Sequence, residues 1–156
     1  MFGLIVKETK KGYFTNLKEV LDVVGDLAKT YNWLLSSYTC SSYPSDKIPF
    51  DKDFVWLTGD ELVSLLDTHE IQFIWGVFTA YSKDISLDNV LQSPIPFADG
   101  YTGFWKPDVT IQNPLSDIEI VSWDNTFLLI IAKSKDIISK FNVEYPNSVD
   151  LAEYNK

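Results

Sequence analysis

The sequence IQFIWGVFTAY, residues 71 to 81, is the longest apolar stretch of the chain, and it decides the fold. It is rich in β-branched and aromatic residues, which suit a pleated, buried surface, and we expect it to form the central strand of a sheet. Both alternating faces are mainly apolar, so both need covering: they comprise Ile71, Phe73, Trp75 and Val77, and Gln72, Ile74, Phe78 and Ala80. Gly76 interrupts the second face, and a glycine inside a strand is more typical of a bulge or close packing than of a ligand site.

Shorter patterns on either side of this strand predict the remaining elements. We expect strands at residues 3–7, 33–40, 54–57, 118–123 and 126–132, and helices at about 17–31, 59–68, 86–91 and after 134. Asn16 with Glu19, and Thr58 with Glu61, have the spacing of a capping box, and Ser134 can cap the last helix. The predicted fold class is α+β, a single globular domain over residues 1–156. It has a mixed or mostly antiparallel sheet of five to seven strands with three or four helices packed on it.

A tight hairpin is predicted at Asp124 and Asn125, two residues that tolerate the positive φ of a type I′ turn. Pairing across a two-residue turn would set Ile118 opposite Ile131, Ile120 opposite Leu129 and Ser122 opposite Phe127. We expect that face to meet the core.

Two long stretches lack the pattern of a helix or strand. Residues 41–53 contain two prolines and alternating charges, and we expect an ordered loop. Residues 93–114 contain four of the seven prolines and two of the seven glycines. Because structureless connections of this length are uncommon, this stretch is either a functional loop or hides a strand, for which 109–112 is the best candidate.

The charge of the chain excludes several classes of partner. There are 22 acidic and 13 basic residues, giving a net charge of −9, and every basic residue is lysine. The lack of arginine removes the bidentate donor used for phosphates and guanine, and the net charge repels polyanions and anionic lipids. We therefore expect neither a nucleic acid nor a membrane as partner. A basic protein or a neutral ligand would be favoured, although the same charge can simply keep the domain soluble.

Motifs for catalysis, metals and cofactors are absent from the sequence. His69 and Cys40 are the only residues of their types, so the chain can form neither an internal disulfide nor a Cys/His zinc cluster. No G-x-S-x-G or G-x-x-x-x-G-K pattern occurs, whereas a facing pair of carboxylates suited to glycoside hydrolysis stays open. We expect no cofactor, no metal and no catalytic residue. The N-terminus also lacks a signal-peptide pattern, so we expect a cytoplasmic location.

The aromatic residues supply the candidates for a binding site. Trp33, Trp56 and Trp75 lie in predicted strands and are assigned to the core, whereas Trp105 and Trp123 are expected to be exposed. Binding residues concentrate in ordered loops on a scaffold. The predicted binding residues are Asp99, Tyr101, Phe104, Trp105, Asp108 and Trp123. In the competing interpretation, Tyr101, Phe104 and Trp105 fold back as a lid over the core.

The C-terminal run DIEIVSWDNTFLLIIAKSKDIISKFNVEYPNSVDLAEYN, residues 117 to 155, resembles a family of uncharacterised proteins from bacilli that carry a domain of unknown function. The central FVWLTGDEL, residues 54 to 62, is similar to the same family. This resemblance implies a bacterial cytosolic protein and supplies no catalytic residues. The chain is also similar, in size, acidity and all-lysine composition only, to immunity proteins that neutralise bacterial toxins.

The leading hypothesis is a non-enzymatic acidic binding protein, immunity-like, that masks a basic partner surface with carboxylates around a few aromatic anchors. The alternative is a protein that binds a small ligand or carbohydrate, with a carboxylate-based hydrolase as its enzymatic form. The sequence favours a binding protein over an enzyme, and leaves the partner and the oligomeric state open.

Overall fold

The computed structural model describes residues 1–8, 16–42 and 52–156. Most of the loop predicted at 41–53 lies outside these residues. Seven strands form one antiparallel sheet in the order β3-β2-β4-β5-β6-β1-β7. The strands are β1 Phe2–Val6, β2 Tyr31–Ser42, β3 Phe54–Thr58, β4 Gln72–Ser82, β5 Ile118–Trp123, β6 Phe127–Ala132 and β7 Val149–Asp150.

The helices begin where the sequence supplies capping side chains. Their bounds are α1 Leu17–Val24, α2 Gly59–Thr68, α3 Leu87–Val90, α4 Lys135–Glu144 and α5 Leu151–Tyr154, with 3-10 helices at Gly25–Thr30 and Thr102–Trp105. The Asn16 side chain accepts hydrogen bonds from the first turn of α1, and Thr58 with Glu61 completes the predicted capping box. Ser134 precedes α4, but its side chain makes no capping hydrogen bond. These elements confirm the α+β fold class.

The two faces of the sheet are covered differently. Helices α1, α2 and α4 pack on one face over a core that includes Trp33, Phe78 and Phe141, which we call the helix-side core. The opposite face is covered mainly by residues 93–116, the covering segment, together with α5. The core beneath them, the segment-side core, includes Phe104 and Leu151. The candidate strand at 109–112 does not form, and a single-turn helix, α5, follows β7.

The predicted hairpin forms, but its register differs by one residue. Asp124 and Asn125 both have positive φ, 46° and 54°, as a type I′ turn requires. Trp123 nevertheless pairs with Phe127, so Thr126 is an additional residue beyond the turn, and its backbone N donates to Trp123 O. The observed pairs are therefore Ile118 with Ala132, Ile120 with Ile130 and Ser122 with Leu128.

The predicted faces of β4 are wrong for its first half because one residue is inserted there. Thr39 pairs with Trp75 and Cys40 with Phe73, which leaves Ile74 as the extra residue of a bulge. The insertion sends Phe73 to the helix-side core and Trp75 to the opposite face. β4 lies inside the sheet as expected, although the middle position belongs to β5.

Gly76 marks close packing next to this bulge. A Cβ added there would lie 2.7 Å from Cζ of Phe78, so the Phe78 ring occupies the space above the glycine. That ring also packs edge-on against Phe73, with centroids 4.8 Å apart. Gly76 thus lets two aromatic rings share one part of the helix-side core.

Candidate functional site

The covering segment has little regular structure, and polar side chains of neighbouring elements satisfy its backbone. Ser36 Oγ of β2 donates to Pro96 O at 2.8 Å. Asn155, just after α5, donates through Nδ2 to Phe104 O at 2.8 Å and to Lys106 O at 2.9 Å. Because buried backbone groups need partners, these bonds allow an irregular segment to lie against a sheet.

A buried carboxylate anchors the segment from below. Glu119 of β5 is fully buried; its Oε2 accepts from Gln112 N and its Oε1 from Gln112 Nε2, both at 2.8 Å. The Gln112 amide in turn donates to Phe97 O and accepts from Phe97 N. Burial raises the pKa of Glu119 to about 7, while the bonds from Gln112 act in the opposite direction. Through the Glu119 side chain, the sheet thus holds Gln112 directly and the Phe97 backbone by way of Gln112.

Four aromatic rings form a line along the edge of the segment-side core, which we call the aromatic row. Trp75 and Trp123 have centroids 4.9 Å apart, Trp123 and Trp105 5.0 Å, and Trp105 and Tyr154 6.3 Å. The three tryptophans are part-buried and Tyr154 is 41% exposed. Lys7 Nζ lies 4.5 Å from the Tyr154 centroid, a cation–π contact at the end of the row. The row presents ring surface to solvent while its base is packed.

A cleft of about 370 Å³ opens beside Trp75, which we call the acidic cleft. Its described lining comprises Ser37, Tyr38, Thr39, Lys52, Asp53, Trp75 and Asp99. The cleft lies where β2 bulges, since two residues, Ser37 and Tyr38, oppose Gly76 alone, and Ser37 has a φ of 51°. Its volume lies within the range of about 300 to 1,000 Å³ typical of ligand sites. Its lining residues therefore include the tryptophan Trp75, two carboxylates and the hydroxyl-bearing Ser37 and Thr39, whereas the Tyr38 side chain also packs on the helix-side core.

The six predicted site residues divide into four groups. Trp105 and Trp123 belong to the aromatic row, and Asp99 lines the acidic cleft. Tyr101 is part-buried and packs on Phe104, which has no exposed surface and so belongs to the core. Asp108 is exposed and does not line the cleft. For Tyr101 and Phe104, the lid interpretation describes the packing.

Sequence reasoning missed several residues that line the cleft. Trp75 was assigned to the core, yet the bulge at Ile74 turns it toward the cleft. Tyr38 and Asp53 come from β2 and from the residue before β3, and no local pattern links them. The Glu119 anchor left a weak signal, because its charged side chain shares a strand face with Val121 and Trp123.

Cys40 has a part-buried thiol that does not line the cleft. Burial raises the pKa of the Cys40 thiol to about 12, which opposes formation of a thiolate nucleophile. Within residues 1–8, 16–42 and 52–156, no group of three or more His, Cys, Asp or Glu side chains could hold a metal ion. In the same residues, no helix has the length and apolar character needed to cross a membrane.

No family model, no curated protein and no solved structure significantly matches this chain.

Proposed function

We propose that the protein is a non-enzymatic binding protein that masks a basic surface of a partner protein, in the manner of an immunity protein. The acidic cleft and the aromatic row would form its contact surface. The observation that carries this proposal is their continuity, because Trp75 both lines the cleft and begins the row. Protein interfaces place aromatic anchors at their buried centre and polar or charged groups around them, and the row and the cleft supply these two parts.

The cleft suits a cationic side chain. The methylene stem of a lysine or arginine would lie on the ring of Trp75, while its charged group would meet Asp53 and Asp99. Lys52 also lines the cleft, and its positive charge offsets one of the two carboxylates. An arginine guanidinium, which has a delocalised charge and several N–H donors, would also donate to the hydroxyls of the cleft.

The aromatic row suits the apolar part of such an interface. Its rings are held from below, since Trp123 packs against Phe104 at 6.0 Å and Trp105 against Phe127 at 6.4 Å. Rings that are already fixed lose little conformational entropy on binding, which favours affinity. The net charge of −9 would increase the association rate with a basic partner.

A carbohydrate is the second candidate ligand. The favouring observation is that the cleft combines ring surface with hydroxyls and carboxylates, the groups that contact the apolar faces and hydroxyls of sugars. Asp53 and Asp99 would then be the pair to test for hydrolysis, which needs two carboxylates about 5 to 9.5 Å apart.

Titrations followed by NMR at the tryptophan indole N–H signals distinguish the two ligands. The probes are acetyl-Gly-Arg-Gly-amide, acetyl-Gly-Lys-Gly-amide and an uncharged oligosaccharide. We expect the cationic peptides to shift the Trp75 signal with millimolar affinity, and added salt to weaken them because exposed charges are screened. A response of Trp75 to the oligosaccharide alone, unaffected by salt, would replace the leading proposal with the second.

A matched pair of variants separates the cleft from the overall charge. Asp53→Asn with Asp99→Asn, and Asp84→Asn with Asp88→Asn, each change the net charge from −9 to −7. All four carboxylates are on exposed residues, but only the first pair lines the cleft. We expect the first variant to lose most of the Trp75 signal shift that the cationic peptides cause, and the second variant to retain it. Equal losses would show that net charge alone attracts the peptides.

A further inference from the structure

Glu119 lies in a buried position that destabilises the charged form of its side chain. It lies on β5, the middle strand of the sheet, beneath the covering segment and without exposed surface. Its two oxygens meet only the neutral donors of Gln112, and no ion pair to Glu119 occurs within the described part of the chain. A buried carboxylate without a cation loses hydration that two neutral donors replace only in part.

The groups that face Glu119 add no positive charge. Its neighbours across the sheet are Thr79 of β4 and Ile131 of β6. The titratable groups close to it are Tyr81 of β4 and Tyr101 of the covering segment, whose pKa values its charge helps to raise. The charged residues of the segment itself, Asp99, Lys106 and Asp108, are all exposed to solvent.

We propose that Glu119 is a proton-dependent latch for the covering segment. With its proton bound, the side chain leaves the segment closed over the sheet. Loss of the proton shifts the segment toward an open state in which the carboxylate reaches water. The Gln112 side-chain amide transmits the change. It bonds both Glu119 and the Phe97 backbone, and so it joins the part of the segment around Phe97 to the part around Gln112.

The direction follows from proton linkage between the two states. In the closed state the pKa of Glu119 is about 7, and in an open, hydrated state it returns to its ordinary value of 4.5. The closed state therefore binds the proton more tightly, and the open fraction rises as the pH increases from about 4.5 to about 7. For a shift of this size, the opening constant increases about 50-fold between about pH 5 and pH 7.5.

The latch also bears on the proposed contact surface. The covering segment supplies Asp99 to the acidic cleft and Trp105 to the aromatic row. Opening would move both residues, so a partner should bind less tightly as the pH rises through this window. This consequence rests on the proposed function, whereas the latch itself concerns the chain alone and is tested without any ligand.

Amide hydrogen exchange of the wild-type protein, resolved by NMR between pH 5 and pH 7.5, tests the latch. After correction for the intrinsic pH dependence of exchange, we expect the protection of the Gln112 and Phe97 amides to fall at least tenfold. The internal control is the Tyr145 amide, which bonds to Phe141 O on the opposite side of the sheet. This amide caps the end of α4, which can open locally without exposing Glu119, so its protection should stay constant although the global stability changes with pH. Constant protection at Gln112, or an equal fall at Tyr145, would overturn the latch.

Two variants complete the experiment. Glu119→Gln cannot lose a proton, so the protection at Phe97 should no longer depend on pH. Glu70→Gln removes an exposed carboxylate from the same chain and should behave as the wild type does. A pH dependence that persists in Glu119→Gln would assign the effect to another group. If Glu119→Gln does not fold, the comparison of Gln112 with Tyr145 in the wild type still decides.

Discussion

Replacing Trp33 and Trp75 in turn tests whether the aromatic row is a surface or a core. Trp33 is fully buried among the helices, and its Nε1 donates to Ala28 O at 2.9 Å. Trp33→Ala should therefore cost about 3 to 5 kcal/mol for the lost ring, and about 1 kcal/mol more for the buried carbonyl left without a donor. That loss is a large part of the total stability of about 5 to 15 kcal/mol expected for a domain.

Replacing Trp75, which lies on the neighbouring strand β4, should lower the stability much less than replacing Trp33. Its ring is part-buried and rests mainly on Trp123, so Trp75→Ala should cost about 1 to 2 kcal/mol, including about 1 kcal/mol for the ring pair. Urea denaturation followed by far-UV circular dichroism measures both values without relying on tryptophan emission. Trp33→Phe replaces Trp33→Ala if the latter does not fold. A Trp75→Ala loss as large as that of Trp33→Ala would refute the assignment of Trp75 to a binding surface.

Three further predictions concern proton binding, backbone packing and partner class. Because the folded state binds a proton at Glu119 more tightly than the unfolded state, stability should fall by up to about 3 kcal/mol as the pH rises from 4.5 through 7. Urea melts at pH 5 and pH 8 measure this loss, which Glu119→Gln should remove. Gly59→Ala would place Cβ 2.2 Å from Ala28 O and should lower the free energy of unfolding more than Gly25→Ala does. Gly25 has open space around it, so Gly25→Ala should cost only about 1 kcal/mol for its φ of 68°. Urea melts of the two variants measure both losses. Mobility shifts should detect no binding to duplex DNA at physiological salt, because the net charge is −9.

The features that the sequence predicted correctly are those that depend on a few neighbouring residues. The caps at Asn16 and Thr58 need only a side chain within three residues of the helix start. The turn at Asp124 and Asn125 needs only two residues that tolerate positive φ. The order of the strands and helices follows from these signals, so the α+β class could be predicted from local pattern alone.

The side-chain faces that the sequence predicted wrongly depend on two inserted residues, one in β4 and one after the hairpin turn. Ile74 in β4 and Thr126 after the turn each move the following side chains to the other face, because strand side chains alternate with a period of two. Neither insertion has a local signature, since the flanking residues pair normally with strands that are distant in sequence. The bulge at Ile74 is the reason that Trp75 faces the cleft.

The residues of the acidic cleft are brought together by contacts between parts of the chain that are distant in sequence. The acidic cleft joins Tyr38, Asp53, Trp75 and Asp99, which come from three strand regions and the covering segment. Composition suggested aromatic residues near carboxylates, but it could not select these four from 22 acidic residues and 23 aromatic ones, namely 10 Phe, 8 Tyr and 5 Trp. The choice depends on the sheet order, which long-range pairing sets.

Salt dependence can separate the contributions of the cleft and the row in any complex that forms. The carboxylates of Asp53 and Asp99 are on exposed residues, so their attraction for a partner cation should weaken as the Debye length falls from about 10 Å at 0.1 M salt to about 3 Å at 1 M. Contacts of Trp105 and Tyr154 bury apolar surface, and salt screening does not reduce that contribution. A partner that uses both should therefore retain part of its affinity at 1 M salt. Trp105→Ala should remove that residual binding, whereas Asp99→Asn should mainly reduce the affinity at low salt.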